Sequence, residues 1–158
     1  MIPVDDVEII DYTRAFAGAF ARLNFEWLEK YFFVEPIDRE ILTQPETAIL
    51  HSGGVILFAR KGDEIVGTVA LKHHDDGDYE LTKMAVTAQS QGAGIGRRLL
   101  RAVIRRFEAM GGGRLYLESH SSLSTALALY EAEGFVHCSP PVPSDYERAD
   151  TYMVYRPQ

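Results

Sequence analysis

The spacing of apolar residues changes period several times along this chain, and each change marks an element. Residues 7–10 read as a short first strand. Thr13 then stands where it can cap a long segment carrying Phe16, Phe20, Leu23, Trp27 and Tyr31, a spacing that returns to one face of a helix. Phe25, Leu28 and Phe32 add apolar surface on another side, so the second half of this helix is expected to be covered on most faces. Glu35-Pro36 breaks it, and residues 38–42 read as a short helix ending near Pro45. Residues 55–60 and 65–72, joined by Lys61-Gly62-Asp63, form a hairpin signal. A turn over 73–78 with Gly77 inside it leads to a third strand, 79–86, completing a meander.

The helical period returns at 94–110, where Ile95, Leu99, Leu100, Val103, Ile104 and Phe107 alternate with Arg97, Arg98, Arg101, Arg105 and Arg106. This is an amphipathic helix. Gly111-Gly112-Gly113 stops it, 114–118 reads as a strand, and 124–133 as a second amphipathic helix with Gly134 at its C-terminal cap. Residues 135–138 and 151–155 are two final strands joined across Pro140, Pro141 and Pro143. The order of elements predicts an α+β fold on a mixed sheet, with one strand, helix, strand crossover between 79 and 118.

Composition narrows the function classes. At 158 residues folding buries roughly 70% of the unfolded surface, enough for one core, so residues 1–158 are expected to form a single domain. The longest uncharged apolar runs, such as 55–59 and 115–117, fall far short of the roughly 20 residues that span a bilayer, and no membrane span is expected. Asp5, Asp6 and Glu8 replace the basic and apolar stretches of a secretory leader, which points to the cytoplasm. Cys138, the lone cysteine, has no disulfide partner and no zinc-site spacing, and reads as a buried or half-buried small residue, with a catalytic cysteine as the minor alternative. With 16 basic against 23 acidic residues, broad electrostatic binding to nucleic acid is disfavoured and cationic partners are mildly favoured.

The candidate chemistry lies in Gln91-Gly92-Ala93-Gly94-Ile95-Gly96-Arg97-Arg98, between a strand and the amphipathic helix. Glycines let the backbone bend and approach a ligand, and the unpaired N–H groups and dipole of a helix start attract an anion such as phosphate or pyrophosphate. Arg97 and Arg98 gain nothing from that dipole, so they are expected to turn outward to a bound phosphate, or else simply to be solvated. A P-loop would need GxxxxGK[ST], and no lysine followed by a hydroxyl residue is present. A dinucleotide fingerprint would need a glycine where Arg97 stands, although Glu118 lies about 20 residues on, at the place of a ribose-binding acid. That reading is a distant alternative.

These residues resemble the Q/R-x-x-G-x-G/A motif of the GNAT superfamily, the GCN5-related N-acetyltransferases. Glu80-Leu81-Thr82-Lys83-Met84-Ala85-Val86 resembles the central strand that precedes the motif, and Ala126 to Phe135 resembles the family's A-x-x-x-Y-x-x-x-G-F segment. Residues 23–32 and Tyr146-Glu147-Arg148-Ala149-Asp150 further resemble bacterial members that occur alone or fused to MarR-type DNA-binding domains. One departure is Leu123, seven residues before Tyr130, where many members carry an asparagine; Ser122 or Ser124 could substitute for it or could cap the helix.

The resemblance implies a mixed, mostly antiparallel sheet flanked by helices, and a single N-acetyltransferase domain that moves the acetyl group of acetyl-CoA directly to a primary amine in a ternary complex. It implies that acetyl-CoA lies between two splayed strands, its pyrophosphate on the N–H groups of residues 92–97 and its pantetheine arm on the backbone of Met84, Ala85 and Val86. The cofactor set is Met84, Ala85, Val86, Gln91, Gly92, Ala93, Gly94, Ile95, Gly96, Arg97 and Arg98. Tyr130 is implied as the acid at the departing sulfur, with a core tyrosine as the alternative. Glu80 is implied as the base, with an ion pair to Lys72 or Lys83 as the alternative and Glu118 and His120 as competitors. His73 and His74 read as a solvated turn, and no metal is expected. Trp27, Tyr31 and Phe32 are either core or a wall of the acceptor pocket. The loop Asp145-Tyr146-Glu147-Arg148 either closes over the acceptor or meets a second subunit, and a homodimer stays open. A small metabolite or amino acid leads as acceptor, a protein lysine or N-terminus follows, and a non-catalytic CoA-binding sensor is the alternative of another class.

Overall fold

The computed structural model describes residues 6–157; Asp5, on which the leader reading partly rests, lies outside them with the other terminal positions. The order is β1 (Val7–Asp11), α1 (Ala17–Tyr31), α2 (Pro36–Thr43), β2 (Val55–Lys61), β3 (Glu64–His73), β4 (Tyr79–Val86), α3 (Ile95–Met110), β5 (Leu115–Ser119), α4 (Ser124–Ala132), β6 (Phe135–His137) and β7 (Thr151–Tyr155). Seven strands form one sheet in the order β1-β2-β3-β4-β5-β7-β6. Every neighbouring pair is antiparallel except β4 and β5, which the α3 crossover makes parallel.

The apolar pattern explains the layers. In β2, Val55, Leu57 and Ala59 enter one buried cluster and Ile56 and Phe58 the other, because successive side chains alternate across a sheet. The first cluster packs the sheet against α3 through Leu99, Leu100 and Val103, with Tyr130 of α4 at its border. The second packs the opposite face against Phe20, Leu23 and Leu28 of α1 and Ile41 and Leu42 of α2. Gly67 sets the distance to α3: a Cβ there would lie 2.9 Å from the Leu99 side chain.

Two features open the middle of the sheet. The parallel ladder between β4 and β5 holds only Tyr79↔Leu115 and Glu80↔Tyr116, so the strands part beyond those pairs. Between β3 and β4 the register passes from Thr68↔Ala85 to Ala70↔Thr82, leaving one extra residue on β4. That bulge holds Lys83 at φ 56, a conformation costing a side-chain-bearing residue about 1–2 kcal/mol.

Two expectations are corrected. Thr13 does not cap with its hydroxyl; Phe16 N–H donates to the Thr13 carbonyl at 3.0 Å, closing a short 3-10 turn, Arg14–Phe16, ahead of α1. The second half of α1 is not covered on most faces, since Trp27 is half-buried and Tyr31 is 45% exposed, and both border the cleft described below. In the Asp145 to Arg148 loop Tyr146 is buried and Arg148 is ion-paired within the chain, while Asp145 and Glu147 are exposed.

Candidate functional site

Where β4 and β5 part, a cleft of about 980 Å3 runs through the sheet. By the alternation of strand residues, Leu81 and Leu117 turn to the α3 side and Glu80, Tyr116 and Glu118 to the α1 side. The opening therefore joins two chemically different faces. One is bordered by the glycine loop and Tyr130, the other by carboxylates and the aromatic residues of α1.

The first face offers a helix start and an unpaired strand edge. Gly92 and Gly94 sit at φ 84 and φ 82, and Gly94 is the N-cap of α3, whose first helical bond runs from Arg98 N–H to its carbonyl at 3.1 Å. The N–H groups of Ile95, Gly96 and Arg97 thus start the helix without helical partners. A Cβ on Gly92 or Gly94 would meet nothing within 4 Å, so the loop surrounds open space. Beyond Glu80 no β5 residue pairs with β4, which leaves the edge carrying Met84, Ala85 and Val86 facing the cleft. Gln91 Nε2 donates to the Val86 carbonyl at 3.0 Å and ties the loop to that strand.

Of the expected cofactor set, Met84, Ala85, Val86, Gln91, Gly92, Gly94, Ile95, Gly96 and Arg97 line the cleft; Ala93, on the exposed outer turn, and Arg98 do not. Arg97 is not turned out to await a phosphate alone. Its guanidinium pairs with Glu133 at 3.1 Å, a carboxylate also held by Arg101 at 2.7 Å, because the end of α4 lies beside the first turns of α3. We expect Gly94→Glu to weaken CoA binding about tenfold or more, by straining a left-handed position and placing a negative charge at the helix start. Titration calorimetry measures it, and unchanged affinity with retained fold would remove the loop from the binding surface.

Tyr130 borders the same face, 8% exposed, with its ring edge-on to Phe135. Burial pushes its hydroxyl up to about 12, so it stays protonated at neutral pH. Leu123 also lines the cleft together with Ser122 and Ser124, and neither serine caps α4: Ser122 Oγ is hydrogen-bonded to His120 Nδ1 at 2.7 Å, and the N-cap of the helix, Leu123, carries no side-chain bond.

On the second face Glu80 is buried, and its partner is neither Lys72 nor Lys83 but His74, whose Nε2 lies 2.9 Å from Glu80 Oε1 and 3.0 Å from the Tyr116 hydroxyl. His73 and His74 diverge as expected, yet neither is a solvated turn residue. His73 ends β3 and stacks on Tyr79 at 4.6 Å, while His74 reaches under the sheet. The hydrogen bond to Glu80 holds the His74 imidazole above its ordinary value against the opposing effect of burial. Glu118, accepting from Ser144 Oγ, is raised by burial and by the nearby Glu80 and Asp145 carboxylates.

Beneath these lies a cluster invisible to periodicity. Lys83 Nζ donates to Asp38 at 2.9 Å and to the Tyr146 hydroxyl at 3.1 Å. Arg148 makes bonds of 2.6 and 2.8 Å to the two oxygens of Asp38 and 2.9 Å to Glu35. The only sequence signals were a lysine inside an apolar strand and the Glu35-x-x-Asp38 capping box, in which Glu35 N–H donates to Asp38 at 3.0 Å. Trp27, Tyr31 and Phe32 line the cleft: Trp27 lies 5.7 Å from Phe32, and Phe32 packs edge-on to His120 at 5.4 Å. Among the described residues no group of three or more His, Cys, Asp or Glu side chains is placed to hold a metal, and no helix is long and apolar enough to cross a membrane.

Comparison with known proteins agrees with this geometry. The model of the acetyltransferase (GNAT) family matches residues 20–135. The uncharacterized N-acetyltransferase YsnE of Bacillus subtilis is 37% identical over 84 residues, 52% of this chain and 56% of that protein. The N-alpha-acetyltransferase RimI of Mycobacterium tuberculosis is 38% identical over 80 residues, 49% of each. The chain spans from about a fifth to just over half of the curated relatives it matches. A GNAT-family acetyltransferase from Staphylococcus aureus Mu50 shares the fold with TM-score 0.83 at 22% identity, over 94% of this chain and 98% of that one. PaiA N-acetyltransferase from Thermoplasma acidophilum, in complex with coenzyme A, does so with TM-score 0.69 at 17% identity, over 95% and 98%. With the family model covering most of its length, the chain belongs to the acetyltransferase (GNAT) family.

Proposed function

We propose that residues 1–158 act as one cytoplasmic N-acetyltransferase domain that transfers acetyl from acetyl-CoA to a primary amine in a ternary complex. The carrying observation is the cleft through the sheet, with a helix start and a free strand edge on one face and a buried carboxylate on the other. The open space inside the glycine loop and the unpaired β4 edge fit a pyrophosphate and an extended pantetheine arm. The thioester supplies the acetyl group when bound.

The chain's own residues do the rest. N–H groups of residues 92–97 hold the pyrophosphate, and the backbone of Met84 and Val86 aligns the arm as an added strand. A β4 N–H directed at the carbonyl oxygen would stabilise its developing charge by as much as about 3–4 kcal/mol. Glu80 takes the proton that the attacking amine must lose, through a water, and passes it to His74, which is part-exposed.

Tyr130 faces the departing sulfur. An ordinary thiol titrates near about 8.5, so full transfer from a phenol held near 12 would be uphill by roughly 5 kcal/mol. Tyr130 therefore acts chiefly by donating a hydrogen bond. The test is acetyl-CoA-dependent thiol release over a panel of amines, with CoA binding followed in parallel by thermal shift. A raised Tm with CoA and release with one class of amine is the expected result; no CoA-induced shift would overturn the reading, and binding without release from any acceptor would mark a sensor.

A further inference from the structure

The acceptor face carries an imbalance of charge that says what kind of amine it admits. The cations lining the cleft among the described residues are Lys83, Arg97 and Arg148, and each is already engaged. Lys83 and Arg148 share Asp38 and Glu35, two cations with two anions, and Arg97 is held by Glu133 on the glycine-loop side. His120, at the same opening, has Ser122 and Asp150 as partners. Among the described residues two carboxylates on this face have no lysine or arginine in a salt bridge with them. Glu80 is bonded to the His74 imidazole, and Glu118 to the Ser144 hydroxyl.

Glu80 and Glu118 lie two residues out of register on adjacent strands and point to the same side. Burial and their mutual repulsion already raise Glu118. A cation entering between them relieves that repulsion; a carboxylate entering adds to it and finds no unengaged partner. The aromatic wall of Trp27 and Phe32 beside them suits an aryl or alkyl body.

Building on the acetyltransferase reading, we propose that the acceptor is a small cationic amine that carries no carboxylate, and that α-amino acids are excluded by the Glu80 and Glu118 carboxylates, which no lysine or arginine neutralises. This narrows the class of acceptors, since free amino acids and their decarboxylated counterparts present the same side chain and the same nucleophile. The carboxylate alone separates them.

The experiment uses matched pairs on the full chain with saturating acetyl-CoA: tyramine against tyrosine, tryptamine against tryptophan, cadaverine against lysine, with tyrosine amide to separate charge from size. Like-charge contact across a desolvated surface costs several kcal/mol, so the amine is expected to exceed its amino acid by about thirtyfold or more in kcat/KM in every pair. Tyrosine amide should behave like tyramine, and Glu118→Gln should shrink each ratio. An amino acid equal to or better than its amine, tyrosine amide as poor as tyrosine, ratios unchanged in Glu118→Gln, or CoA binding with no transfer to any of these amines would each overturn the proposal. Loss of CoA binding itself would instead overturn the acetyltransferase reading on which it rests.

Discussion

Replacing Glu80 by glutamine should lower kcat by about 10²–10³-fold at neutral pH while leaving CoA affinity unchanged. The amide keeps the size of the side chain and removes the site that receives the proton. CoA affinity is spared because Glu80 faces the α1 side, away from the glycine loop. Tyr130→Phe should cost less, about tenfold, since a hydrogen bond to sulfur is lost rather than a proton acceptor. The pH profile separates chemistry from structure. His74 can take a proton from Glu80 only when neutral, and its hydrogen bond to Glu80 holds it above the ordinary histidine value; Glu80 of β4, Tyr116 and Glu118 of β5, Lys72 of β3 and Asp76 of the turn all act on it. The rate should therefore rise with pH through a value above about 6.5, and His74→Gln should remove that limb without changing CoA binding. Stopped-flow thiol release across pH measures both. A full rate in Glu80→Gln at every pH, with loss in Glu118→Gln, would move the base to Glu118.

Much of this site could be read in order along the chain. The helix α3 begins one residue inside its expected start because Gly94 takes the left-handed N-cap, and β4 runs over the expected residues. Both are governed by local rules, the apolar period and the freedom of glycine. The partners of Glu80 and Lys83 were not legible in this way. His74 lies six residues from Glu80 across a turn, and its imidazole reaches Glu80 and Tyr116 only because β5 pairs there with the start of β4. Lys83 meets Asp38 and Tyr146, 45 and 63 residues away, and only because a bulge turns it out of the alternation that would otherwise place it. Arg97 illustrates the same limit: its position in the first helical turn suggested a phosphate, but α4 brings Glu133 beside it. Periodicity reports which face a residue takes within its own element. It carries nothing about which distant side chain waits on that face.

The buried cluster makes the largest stability prediction. Arg148→Met should destabilise the fold by about 3–5 kcal/mol, because it strands the fully buried Asp38 with Lys83 alone and leaves Glu35 without its cation. For a domain of this size that is a fall in Tm of roughly 10 °C. Burial alone would push Asp38 up, but the Arg148 and Lys83 cations overcome it and hold the carboxyl below its usual range. A carboxyl whose folded value is depressed stabilises fully above its unfolded value, near about 4, and loses that contribution as pH falls through the folded value. The gap between wild type and Arg148→Met should accordingly be complete at neutral pH and narrow in acid, as Asp38 takes up a proton in both. Asp38→Asn combined with Arg148→Met should cost less than the sum of the single changes, since a cation and an anion leave together. Urea unfolding from neutral to acid pH tests all three statements; a wild-type gap below about 1 kcal/mol at neutral pH would make this network no stronger than a surface ion pair. The same cluster anchors the Tyr146 loop to α2 and the β4 bulge, so Arg148→Met should also loosen the acceptor face, raising KM for the amine while CoA affinity stays at its wild-type value.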